Sequence, residues 1–260
     1  MSCVVSVVMP CFNSSRFISE SIESVLAQTF SDWELIIVDD CSTDNSVEVV
    51  QSFVARDSRI KLIQLAENSG AAVARNAAIE AAQGRYIAFL DSDDLWDADF
   101  LDKSIDLLRR SDISFIFSGY KKIDAKGVVF EEFGVPDKIS YKELLKGTPI
   151  SCLTAIIDTQ YFGKQFMPVN TKREDYAYWL KLLKLTDFAY GYNFKKASYR
   201  VYEGQSSANK LDMAKENWRL YREVEGLNLI KASYYFSHYA VRGLLRTKVP
   251  GLARMLGVLK

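Results

Sequence analysis

The chain has 260 residues, 33 basic side chains against 33 acidic ones, and 48% hydrophobic composition. That suits one large domain or two small ones, and zero net charge gives no electrostatic reason to expect nucleic acid. The four cysteines, Cys3, Cys11, Cys41 and Cys152, form no CxxC pair, which fits reduced thiols better than a disulfide framework or a zinc site. No basic segment precedes the first apolar run and no run reaches the length of a membrane span, so the default expectation is a cytoplasmic protein.

In chain order, residues 4–9 form a continuous apolar strand stopped by Pro10, buried on both faces as in a parallel sheet. Ile18, Ile22, Val25 and Leu26 recur at helical spacing. A second strand over 33–38 ends in Asp39 and Asp40, and Asp44 is placed to cap a helix carrying Val47, Val50 and Val54. A third strand spans 60–65. The alanine-rich ENSGAAVARNAAIEAAQG is helical with Gly84 as its stop. A fourth strand, 86–90, runs straight into Asp91, Ser92, Asp93 and Asp94, and a helix follows over 97–110.

Four strand–helix alternations predict a doubly wound parallel α/β sheet, whose ligands gather beyond the carboxyl ends of the strands. Three polar clusters fall there: residues 11–14, 39–40 and 91–94. In extended backbone, side chains two apart point the same way, so Asp91 and Asp93 can converge. Such hard oxygen ligands suit Mg2+ or Mn2+ holding a diphosphate; an acidic turn capping the next helix is the plainer alternative. No GxGxxG follows the first strand and no GxxxxGK[ST] occurs, which argues against a dinucleotide enzyme and a P-loop NTPase.

After residue 110 the rhythm becomes mixed. A strand over 113–118, a hairpin turning near Lys126 and Gly127, a short helix over 141–146 and a strand over 150–157 are predicted. The expected organisation is a nucleotide-binding half (1–110), an acceptor-binding half of the same domain (111–220) and a helical tail (221–260). No Asp or Glu follows Glu225, while Lys231, Arg242, Arg246, Lys248, Arg254 and Lys260 do, interleaved with aromatic and aliphatic side chains. Such a tail can lie on an anionic leaflet or pack one face on the domain.

The pieces VSVVMPCFN, ELIIVDDCSTD, NSGAAVARNAA, GRYIAFLDSDDLW and REDYAYWLKLL together resemble the family 2 inverting glycosyltransferases of the nucleotide-sugar-binding GT-A fold, over roughly residues 3–207. The resemblance implies an α/β/α sandwich and a divalent metal, Mn2+ or Mg2+. Asp91 and Asp93 resemble the metal-holding DxD motif, with Asp93 as the direct ligand, Asp91 nearer the ribose, and Ser92 in the same donor-binding turn. Asp40, with Asp39 beside it, resembles the acid that reads the uracil edge. Arg75 resembles a base- or phosphate-contacting arginine, and Pro10, Phe12 and Asn13 the loop against the base. Asp175 resembles the catalytic base, with Glu174 orienting the acceptor.

Tyr199 and Arg200, then Ser206 and Ser207, resemble a segment that closes over the diphosphate, with Gly204 as a hinge and Arg200 as the preferred contact. This chain departs from the family at Tyr202-Glu203, where a basic residue is frequent. Trp96 stands either as a wall of the sugar pocket or as a core anchor. The implied reaction moves a hexose from UDP-glucose or UDP-galactose, with inversion, to a lipid-diphosphate-linked saccharide of bacterial O-antigen, capsule or teichuronic acid synthesis. The enzyme is then expected at the cytoplasmic face of the inner membrane. Two other classes compete. One is a binding-only protein of the same fold, which needs no base. The other is a Mg2+-dependent phosphohydrolase, whose acidic motif belongs on the first strand rather than the fourth.

Overall fold

The computed structural model describes residues 4–110, 112–203 and 210–248, without the side chains of 210, 211 and 244–248. The four expected alternations are present: β1 (Val5–Cys11), α1 (Ile18–Leu26), β2 (Trp33–Asp39), α2 (Ser46–Val54), β3 (Ile60–Gln64), α3 (Ala71–Ala81), β4 (Tyr86–Phe89) and α4 (Phe100–Arg110). Every residue of β2 and β4 is buried, as unbroken apolar runs require when helices cover both faces. Val5, Val7, Met9, Tyr86, Ala88 and Leu90 face a core built with α1, α2 and α4. Val8, Ile87 and Phe89 face the opposite core, which contains α3. The result is an α/β/α sandwich.

Between β4 and α4 lies a short strand, β5 (Leu95–Trp96), in addition to the expected elements. The second half adds β6 (Phe115–Ile123), β7 (Val129–Phe133), β8 (Lys138–Ile139), α5 (Tyr141–Leu144), β9 (Ile156–Asp158), α6 (Thr159–Phe162), α7 (Glu174–Leu182) and β10 (Ala189–Arg200). One sheet runs through both halves in the order β3-β2-β1-β4-β9-β6-β10-β5, with β7 on β6 and β8 on β10. Strands β1 to β4 are mutually parallel, but β9 is antiparallel to both β4 and β6, so the whole sheet is mixed.

Local expectations are corrected at three points. Residues 150–157 are not one strand: Cys152–Thr154 is a helical turn and only Ile156–Asp158 pairs. Asp44 does not cap α2 in the ordinary way; Asn45 holds the cap position, and Asp44 accepts from the backbone N–H groups of Ser15 and Ser46. Gly84 is not a helix stop, since α3 ends at Ala81. Its lack of a side chain matters for another reason: a Cβ there would stand 2.6 Å from the backbone nitrogen of Ser6.

The chain closes with α8 (Lys210–Arg219), a π-helical turn at Leu220–Val224 and α9 (Leu229–Lys248). Ala232 of α9 is buried and Tyr235 and Phe236 pack on the core, while Leu229, Ile230, Tyr234 and Val241 are exposed. No helix among the described residues is long and apolar enough to cross a membrane. The tail residues after 248 lie outside the described residues.

Candidate active site

The carboxyl ends of β1, β2 and β4 and the amino ends of α3 and α7 open onto one cleft of about 1170 Å3. Each reaches it for a local reason. The NSG turn after β3 presents the Ser69 and Gly70 N–H groups to Asp40, whose Oδ1 and Oδ2 accept them at 2.7 and 2.8 Å. Gly70 adopts φ 91° there, a conformation costly for a side-chain-bearing residue. This fixes the start of α3 and brings Arg75, one turn on, under the acidic turn that follows β4.

Arg75 joins the two sides of the cleft. It donates to Asp91 at 2.6 Å and to Glu174 at 3.0 Å, although those partners are 16 and 99 residues away. Burial opposes its charge, but the carboxylate of Asp91, then Cys152 and Glu174, hold its pKa well above the ordinary value. Glu174 begins α7, and α7 is held in place by Trp179 and Tyr178 packing edge-on against Phe89 of β4, with centroids 5.5 and 6.0 Å apart. The strand that leads into Asp91 therefore also seats the helix that presents Asp175. The Asp175 Oδ1 accepts the Tyr176 N–H at 2.6 Å, and the side chain lines the cleft.

The three carboxylates of the DSDD turn have different fates. Asp91 is paired with Arg75. Asp93 Oδ2 accepts the Tyr202 hydroxyl at 3.0 Å. Asp94 is fully buried; its Oδ1 accepts the Arg200 N–H at 2.8 Å, and burial, then Asp93 and Asp91, push its pKa well above the carboxylate range. Ser92 is hydrogen-bonded through its hydroxyl to that of Ser14, at 2.7 Å, which ties this turn to the loop after β1. Pro10, Phe12 and Asn13 line the same cleft, and Phe12 is exposed.

Among the described residues no group of three or more His, Cys, Asp or Glu side chains is arranged to hold a metal ion by itself. A Mg2+ or Mn2+ ion carried by a diphosphate asks less of the protein, one or two carboxylates, because phosphate oxygens and water complete the shell. Asp93 and Asp91 supply hard oxygen donors in that number on the cleft wall.

Three expected residues do not line the cleft. Asp39 is buried behind the loop, where its Oδ2 accepts the Ser42 N–H. Trp96 is the core anchor and not a pocket wall: its indole N–H donates to Leu153 O at 2.8 Å and its ring stacks on Phe100 at 4.5 Å. Arg200, expected on the diphosphate, has a fully buried guanidinium that donates to Asp93 O and Glu20 and lies over Phe17. It braces the acidic turn from behind. Gly204, Ser206 and Ser207 lie outside the described residues.

The sequence reading missed Tyr120 and Phe133 as cleft residues, and expected Tyr199 only in a segment closing over the diphosphate. Tyr120 and Phe133 form a cross-strand pair of stacked rings 5.0 Å apart, with Tyr199 edge-on to Tyr120 at 6.4 Å. All three line the cleft on the side of the second half. Only the β6–β7 and β6–β10 registers bring them together. Tyr202 and Arg173 were legible as types but not as partners of the site.

Taken together, this sheet, an acidic turn after its fourth strand and a helix-borne Glu-Asp pair define a glycosyltransferase of the GT-A fold. The profile of the family "Glycosyl transferase family 2" matches residues 6–154, and the chain belongs to that family. It is 44% identical over 238 residues to TuaG of Bacillus subtilis (strain 168), a protein assigned to teichuronic acid biosynthesis, covering 91% of this chain and 94% of TuaG. It is 40% identical over 243 residues to WfgD of Escherichia coli, a UDP-Glc:alpha-D-GlcNAc-diphosphoundecaprenol beta-1,3-glucosyltransferase, covering 93% and 94% of the two chains. The solved structure of the mannosyltransferase PcManGT from Pyrobaculum calidifontis, in complex with GDP-Man and Mn2+, matches with a TM-score of 0.68 at 16% identity, over 99% of this chain and 79% of that one. That last likeness concerns the fold.

Proposed function

We propose that the protein is an inverting, metal-dependent hexosyltransferase of bacterial surface polysaccharide synthesis. It takes the sugar of UDP-glucose or UDP-galactose to a hydroxyl of a saccharide linked through diphosphate to a lipid. The observation that carries the reading is the Arg75 joint: it fastens the turn bearing Asp91 and Asp93 to the helix end bearing Glu174 and Asp175. Donor diphosphate and acceptor hydroxyl are thereby presented across one cleft. The names of WfgD and TuaG support the donor and acceptor classes.

In this reading Pro10, Phe12, Asn13 and Asp40 hold the base, each oxygen of Asp40 keeping a lone pair beyond its backbone contact. Asp93, with Asp91, would hold Mn2+ or Mg2+ at the diphosphate, where the ion would supply Lewis-acid stabilisation of the leaving group. Asp175 takes the proton of the acceptor hydroxyl as its oxygen bonds to the anomeric carbon. The bond from that carbon to the diphosphate breaks on the opposite face, and configuration inverts. Tyr120, Phe133 and Tyr199 offer ring faces and edges for the acceptor sugar.

Calorimetry with a panel of nucleotide sugars, with Mn2+ and with chelator, tests the donor class: Mn2+-dependent binding of one UDP-hexose is the expected result. Asp93→Ala should then cost at least ~10-fold in Mn2+-dependent UDP affinity, the scale of losing a charged ligand contact. Unchanged affinity in that variant removes the metal role.

The exposed Leu229, Ile230, Tyr234 and Val241 lie on a helix with no acid after Glu225, which suits peripheral contact with the anionic inner leaflet. Cosedimentation with vesicles containing phosphatidylglycerol should fall when Ile230 and Tyr234 are both changed to Ser. Equal binding by that double variant would end the tail's membrane role.

A further inference from the structure

Resting on the reading that the acceptor saccharide is joined to its lipid through a diphosphate, we infer that Arg173 binds that diphosphate. Arg173 directly precedes Glu174 and Asp175. It is only 8% exposed, yet it lines the cleft. Its backbone N–H donates to Thr171 Oγ1 at 3.1 Å, and its guanidinium lies over the Tyr176 ring at 5.2 Å. Among the described residues, no carboxylate or carbonyl accepts a hydrogen bond from that guanidinium.

The other two deeply buried arginines among the described residues are differently placed. Arg75 is paired with Asp91 and Glu174, and Arg200 with Glu20. A buried guanidinium loses its hydration, and a partnering anion ordinarily offsets that loss. Arg173 meets an aromatic face and an open cleft in place of the anion. Guanidinium matches the geometry of phosphate oxygens through parallel N–H donors.

Its surroundings add to the attraction for an anion. Arg173 is the N-cap residue of α7 and contributes no side-chain cap, so it stands at the partially positive end of a nine-residue helix. Lys172, exposed beside it, lines the same cleft and has no ion pair among the described residues. The acid next to it in the chain, Glu174, is already neutralised by Arg75, and in the proposed reaction Asp175 serves the hydroxyl.

Two diphosphates meet in this reaction, and position separates them. The donor's belongs with Asp91 and Asp93. In the substrate that names WfgD, the acceptor sugar is bonded directly to its diphosphate. That group therefore lies one pyranose ring from the attacked hydroxyl, just as Arg173 lies within one helical turn of Asp175.

The test compares two acceptors: α-GlcNAc-diphosphate carrying a short alkyl chain, and the alkyl α-GlcNAc lacking the diphosphate. Wild type should show a KM for the neutral acceptor roughly 10- to 100-fold above that for the diphosphate, as expected for a charge-assisted contact. In Arg173→Met that ratio should collapse toward one, and Arg173→Lys should keep part of it. Calorimetric UDP binding with Mn2+ monitors the donor site in each variant.

Equal KM values in wild type overturn the inference without any variant. So does an Arg173→Met protein that weakens UDP binding while keeping the acceptor ratio, which would move Arg173 to the donor diphosphate. Loss of kcat with both acceptors at an unchanged ratio would make it a residue that positions Asp175. Wild type that transfers to neither acceptor removes the acceptor class itself, and the inference with it.

Discussion

Asp175→Asn is expected to lower kcat by at least ~10²-fold, the low end for loss of a general base, while UDP-sugar affinity stays within about twofold. The side chain lies in the cleft at the first turn of α7, on the helix seated against β4. Its Oδ1 is occupied by the Tyr176 N–H, and Oδ2 accepts no hydrogen bond among the described residues. An amide keeps the size and the acceptor at Oδ1 but cannot take a proton. In the proposed reading donor binding relies on residues at the ends of β1, β2 and β4, and it should be unmoved. Steady-state kinetics with saturating donor, alongside calorimetry, separates the two quantities. A variant that turns over at the wild-type rate places the base elsewhere, and Glu174 is disfavoured as that base by its ion pair.

Arg75→Met is expected to destabilise the fold by about 3 kcal/mol, the low end for breaking a buried ion pair, because Asp91 and Glu174 keep some solvent. In a chain of this size that is a fall in Tm of roughly 6–12 °C. The loss arises from two carboxylates left facing each other across the site without the cation between them. The double variant Arg75→Met/Glu174→Gln should therefore recover part of the stability lost by Arg75→Met alone. Thermal and denaturant unfolding of the two variants give the answer. If Arg75→Met unfolds at the wild-type temperature, the joint carries no stability and its proposed role in aligning donor and acceptor sides loses its footing.

Much of the first half was legible because its signals are local. Unbroken apolar runs such as 33–38 and 86–90 can be satisfied only by burial on both faces, and alanine-rich or i, i+4 patterns separate them. The acidic turn after the fourth strand was legible too, since a strand end at the sheet's carboxyl edge is where polar side chains collect. The second half was harder. Residues 150–157 read as one strand because Ile150, Cys152 and Leu153 are apolar and buried, but a helical turn buries them equally well. β9 then runs against its neighbours, which no periodicity encodes.

The site divides in the same way. The sequence by itself determined which acids stand at strand and helix ends: Asp40, Asp91, Asp93, Glu174 and Asp175. Only the tertiary structure decided how they are partnered. It gave Arg75 two carboxylates from distant segments, turned Arg200 and Trp96 inward, set Tyr202 on Asp93 and left Arg173 facing the cleft. The reason is physical. A residue's type and its place on an element follow from neighbours a few positions away. The partner of a charged group is set by which elements pack together, and that depends on contacts many tens of residues apart.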